Sequence, residues 1–107
     1  MTQSEYLDGF RIWLQDLATL NNKKNSDYST KNDAFKNLKQ IEILSNGAIN
    51  LEAGILTRMS DKISRIGTLL FQKTREVNDE TLLDTLDDLA IYSGILKIYL
   101  KSKNDKN

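Results

Sequence analysis

The chain has 107 residues, and its 15 lysines and arginines balance 15 aspartates and glutamates, giving a formal net charge of zero. It contains no cysteine and no histidine, which excludes a thiol nucleophile, a cysteine or histidine zinc site, a Ser-His-Asp triad and a histidine base. Without a basic excess it is not expected to bind nucleic acid generally, and any metal would be a hard ion held by oxygen.

One helical domain is expected over residues 1–101, with a polar, frayed tail at 102–107. The start, "MTQSEYLDGF", has neither the basic cluster nor the apolar run of a signal peptide. No charge-free apolar stretch is long enough to span a bilayer, so a soluble, cytoplasmic protein is expected. Proline is absent, which favours long uninterrupted helices.

The first predicted helix covers residues 3–20, where Tyr6, Phe10, Trp13, Leu17 and Leu20 recur at helical spacing. "NNKKNSDYS" at 21–29 is expected to end it, because asparagine, serine and aspartate favour turns. A second helix is predicted from Lys31 to Leu44, with Thr30 as its cap and Ala34, Phe35, Leu38 and Ile41 on its inner face. "SNG" at 45–47 should stop it, with Asn46 or Gly47 in the left-handed conformation.

The third helix is predicted from Ile49 to Gln72, with Ile55, Leu56, Met59, Ile63, Ile66 and Leu70 apolar and Arg58, Asp61 and Arg65 on the opposite side, Lys62 at its edge. The fourth is predicted from Asp79 to Leu100, capped by Asn78 or Asp79. Four helices joined by short loops, and no alternating β-branched run, give an all-α fold class: a compact four-helix bundle.

The fourth helix carries Glu80, Asp84 and Asp88 on one stripe that continues as Ile91, Ile95 and Ile98, with Leu82, Leu86, Leu89, Leu96 and Leu100 opposite. Carboxylates beside such apolar surface are costly unless they are paired or hold a cation. Asp84 and Asp88 could pair with Arg58 and Arg65 as structural salt bridges, or join Asp61 as oxygen ligands for magnesium. Arg58 and Arg65, spaced to face one way, suit phosphate because a guanidinium donates paired hydrogen bonds. Lys24, Asp27, Tyr28 and Asn32 could form a loop that meets a ligand, with Tyr28 stacking on a base. Ile91, Ile95, Ile98 and Tyr99 give the fourth helix more apolar surface than one small bundle needs, so at least a homodimer is expected through it.

"KNSDYS...AFKN", "GILTRMSDKISRI" and "DETLLDTLDDLAIYS" together resemble the phage- and prophage-associated nucleotide modification associated domain. That family is thought to be related to the all-α nucleoside triphosphate pyrophosphohydrolases of the MazG and dimeric dUTPase type. The resemblance runs from about residue 24 to residue 96 and implies an often oligomeric helical protein, with a pocket for a nucleotide and magnesium, in a bacterial host cell. It implies Asp61, Glu80, Asp84 and Asp88 as metal ligands, and Asp61 and Asp84 as catalytic residues. It implies Arg58, Lys62 and Arg65 as phosphate holders, and Lys24, Asp27 and Tyr28 as the groups that close the pocket. The pyrophosphohydrolases typically carry an E-x-x-E pair on the first metal helix, whereas Glu52 and Asp61 stand nine positions apart here and point to different faces. Three functions therefore fit, in this order: magnesium-dependent pyrophosphohydrolysis of a nucleotide; sequestration of a nucleotide, such as a cyclic immune signal, without cleavage; and a helical interaction module whose acids and arginines only pair with each other.

Overall fold

The computed structural model describes residues 1–29, 33–72 and 79–105, leaving undescribed the side chains of Asp27, Tyr28, Asp79, Glu80 and Asp105. The fold is all-α, with four helices and no strand among the described residues: α1 (Gln3–Tyr28), α2 (Gln40–Leu44), α3 (Leu51–Phe71) and α4 (Asp79–Asp105). The chain divides into two compact units, Met1–Asn37 and Leu38–Asn107. No described helix is long and apolar enough to cross a membrane.

The first unit is built on α1. Thr2 caps it, its side chain accepting from the Glu5 amide at 3.1 Å while its hydroxyl donates to the Glu5 carboxylate, a threonine and glutamate at capping-box spacing. Tyr6, Phe10 and Trp13 then stack along one side, with ring centroids 6.0 and 5.2 Å apart. The helix does not stop at residue 20, as the polar run suggested, but continues to Tyr28. The serines there satisfy the helix instead of competing with it: Ser26 donates to the Lys23 carbonyl and Ser29 to the Asn25 carbonyl.

The predicted second helix is much shorter than expected. Thr30, its proposed cap, and Asn32 lie outside the described residues. Beyond them, residues 34–39 form turns. The Asp33 carboxylate accepts from the Phe35 amide two residues on at 2.9 Å, a local bond that gives the backbone an alternative to the helix. Only Gln40–Leu44 is helical. It ends as the sequence predicts: Asn46 and Gly47 have φ of 53° and 81°, and the Gly47 amide donates to the Glu42 carbonyl at 2.7 Å, the long bond of a Schellman motif.

The second unit is a small helical bundle whose main packing contact is α3 against α4. Asn50 caps α3 by accepting from the Ala53 amide at 2.8 Å. Glu42 of α2 accepts from the next free amide, that of Leu51, at 2.6 Å, so two donors that a helix start leaves unpaired are both satisfied. α2 comes so close to α3 that a Cβ on Gly54 would lie 3.1 Å from Ile41 Cγ2. Leu51 and Ile55 are fully buried, at 0% and 1% exposure, with Leu38, Ile91 and Ile95 also in the core. Burial of each such side chain contributes about 1.5–3 kcal/mol.

Residues 62 and 88, 58 and 92, and 52 and 103 meet across the two helices, so α3 and α4 run antiparallel. α4 continues past Leu100 to Asp105. Lys103 holds that last turn, bonded to Glu52 at 3.2 Å and lying 5.5 Å from the Tyr99 ring centre, and a cation there complements the helix dipole. The Glu52 carboxylate, first by this hydrogen bond and then by its charge, raises the Lys103 pKa above its ordinary value of 10.5. Ile91 and Ile95, which prolong the carboxylate stripe on a helix expected to lie centrally or at a subunit interface, are buried; Ile98 alone of the three is exposed.

Candidate functional site

The turn-by-turn spacing of "RMSDKISR" places Arg58, Asp61, Lys62 and Arg65 along one side of α3, since residues three and four apart share a helix face. In the structure these four line one open cleft of about 280 Å³, closed on the α4 side by Tyr92. The lining thus carries three cations, one carboxylate and one aromatic ring. The Arg58 guanidinium lies 5.9 Å from the centre of the Tyr92 ring, a cation–π distance that holds the side chain against α4.

Lys62 reaches across to Asp88 of α4, Nζ to Oδ2 at 3.1 Å, with 25% and 21% of the two side chains exposed. This half-buried pair answers why Asp88 can lie beside the core isoleucines: its charge is matched from the neighbouring helix. The partner is the lysine, whereas the sequence offered Arg58 or Arg65. Both arginines are exposed on the cleft, where a guanidinium can bind an anion bidentately.

The other predicted residues are placed as follows. Asp84 lies one turn before Asp88 on α4 and is exposed. The Glu80 side chain lies outside the described residues, although its backbone belongs to α4. Among the described residues no three carboxylates come together as a group that could hold a metal ion. Lys24 is half-buried on α1 in the first unit, within a helix and not on the expected loop. Asp27 and Tyr28 close α1, and their side chains, like all of Asn32, lie outside the described residues.

Tyr92, the tyrosine that follows the three acids in "DETLLDTLDDLAIYS", is the cleft residue to which the sequence assigned no role. A signal for it existed, because it continues the four-residue spacing of Glu80, Asp84 and Asp88. That spacing was followed instead into Ile91 and Ile95, which turn into the core.

The chain matches no family model, no curated protein and no solved structure.

Proposed function

We propose that the cleft on α3 binds the phosphate groups of a nucleotide, linear or cyclic, and holds the nucleotide without cleaving it. One observation carries this reading: Arg58, Lys62 and Arg65 line the same small cleft with Tyr92 beside them and, among the described residues, Asp61 as the single carboxylate. Guanidinium groups take phosphate oxygens in paired hydrogen bonds, and an aromatic face beside them can stack on a base. The resemblance of these segments to the nucleotide modification associated domain supports a nucleotide as the ligand. The ligand class would place the protein in the cytoplasm of a bacterial host, sequestering a nucleotide signal.

Among the described residues no magnesium site is assembled from the carboxylates. Among the described residues Asp61 is the one acid on the cleft wall, and Asp88 is paired with Lys62. A hard divalent ion wants several oxygen ligands in near-octahedral order. Hydrolysis of the phosphate chain, with magnesium on Asp61, Glu80, Asp84 and Asp88, is the second reading. It is favoured by Asp61 standing between the two arginines, and it requires Asp88 to leave Lys62.

The test is calorimetric titration of nucleoside triphosphate and cyclic dinucleotide into the protein and into Arg58→Met and Arg65→Met. Loss of one charged hydrogen-bonding group is worth about 1.5–3 kcal/mol, so each variant should bind about 10-fold more weakly or worse. Equal affinity in all three proteins would remove the cleft from the account.

A further inference from the structure

We infer, building on the reading of the α3 cleft as a phosphate site, that Asp61 accepts hydrogen bonds from the hydroxyls of a ribose, so that the cleft selects ribonucleotides over nucleotides whose sugar lacks them. Asp61 lies on the cleft wall between Arg58 and Arg65 and is exposed. Along the helix its level is about 4.5 Å from that of Arg58 and about 6 Å from that of Arg65, at ~1.5 Å per residue. Such spacings allow an ion pair: Asp8 and Arg11 of α1, likewise three residues apart, close to 3.5 Å. Among the described residues Asp61 closes none. Arg58 instead lies against Tyr92, 5.9 Å from the ring centre, and Lys62 is bound to Asp88 at 3.1 Å. The Asp61 carboxylate thus keeps its acceptor oxygens for whatever fills the cleft.

An ionised carboxylate only accepts hydrogen bonds, and beside a phosphate it meets a like charge. A ligand made of phosphates alone therefore suits Arg58 and Arg65 and is opposed by Asp61. The ligand that satisfies all three side chains carries a neutral donor close to its phosphates. In a nucleotide that donor is the sugar, because the sugar is the unit to which the phosphates are joined. Carboxylates take ribose hydroxyls in this way in dinucleotide-binding folds. The base is the other source of neutral donors. The ring it would stack on, however, is Tyr92, which closes the cleft from α4, whereas Asp61 stands on α3 between the two guanidinium groups.

The test compares the natural protein with Asp61→Ala and Arg58→Met by calorimetric titration, with a chelator present so that no divalent ion bridges Asp61 to a phosphate. The ligands are inorganic tripolyphosphate, adenosine and guanosine triphosphates with their dideoxy forms, and cyclic diadenylate and diguanylate with their deoxy forms. The natural protein should bind at least one ribonucleotide about 10-fold or more tighter than its deoxy form, the worth of a hydrogen bond to a charged group. In Asp61→Ala that preference should vanish, and tripolyphosphate should bind more tightly than it does to the natural protein. Equal affinity for the ribose and deoxy forms in the natural protein, with Arg58→Met weakening both, would overturn the role of Asp61 and leave the phosphate site standing. A sugar preference that survives in Asp61→Ala would do the same, as would a preference for guanine, blind to the sugar, that disappears in this variant. No binding of any of these ligands by the natural protein would overturn the phosphate site and the role of Asp61 together.

Discussion

Replacing Lys62 by methionine keeps the aliphatic stem and removes the ammonium that pairs with Asp88 across the two helices. The two groups stand 3.1 Å apart with about a quarter of one side chain and a fifth of the other exposed. At that distance their attraction is about 5 kcal/mol for an effective dielectric constant of ~20. Dehydrating both groups offsets most of it. What remains is about 1–2 kcal/mol, more than the ~0.2–1 kcal/mol of a fully exposed pair. In a domain of this size 1 kcal/mol moves Tm by roughly 4–8 °C, so Lys62→Met should melt roughly 5–15 °C lower. A double-mutant cycle with Asp88→Asn isolates the pair, and thermal melts of the four proteins should give a coupling of about 1–2 kcal/mol. The same variant separates the two functional readings: it should weaken phosphate binding, and it should tighten magnesium binding only if Asp88 is a latent metal ligand. A coupling below about 0.3 kcal/mol, within the scatter of independent sites, would refute the claim that Lys62 and Asp88 hold α3 to α4.

Ile55→Ala empties a fully buried position and should cost about 2–5 kcal/mol, read from urea unfolding followed by circular dichroism. Asn50→Ala removes the side chain that caps α3 and should cost about 1 kcal/mol in the same assay, with the cleft's ligand affinity little changed. Lys103 has its pKa raised by Glu52, so the proton it carries stabilises the fold. That contribution is complete below the unfolded-state value of about 10.4 and fades as pH rises through the higher folded value. Lys103→Met should therefore melt below the natural protein at pH 7, and the gap should close as pH rises through the raised folded value; a gap independent of pH would show that the pair contributes nothing through its charge.

The long helices were legible because their signals are periodic and redundant. α3 was expected from Ile49 to Gln72 and runs from Leu51 to Phe71, and α4 begins at Asp79 as expected. Where a single local bond decides, composition misled. Ser26 turns its hydroxyl back onto a helix carbonyl within the polar run and Ser29 does so just past its end, while Asp33 bonds the Phe35 amide where periodicity favoured a helix. The cleft was half legible. Spacing alone put Arg58, Asp61, Lys62 and Arg65 on one face, because they share one helix. Which residue of α4 meets them depends on the register of two helices, and one step of that register exchanges Tyr92 for Ile91. Register likewise decided that Asp88 meets Lys62 and that Ile91 and Ile95 turn inward.

The central claim is that the cleft of Arg58, Lys62, Arg65 and Tyr92 holds a nucleotide by its phosphates. The most direct measurement incubates the protein with a panel of linear and cyclic nucleotides, with and without magnesium. Each mixture is read by its melting shift and by chromatography of the recovered nucleotide. A ligand at 100 times its Kd stabilises by about 2.7 kcal/mol, which for this chain is a rise of roughly 10–20 °C. The account predicts such a rise for at least one nucleotide without magnesium, lost in Arg58→Met, with the nucleotide recovered intact. A nucleoside monophosphate appearing only with magnesium would instead establish the hydrolytic reading. No shift and no product for any member of the panel would contradict both, leaving Arg58 and Lys62 to hold α4 and nothing more.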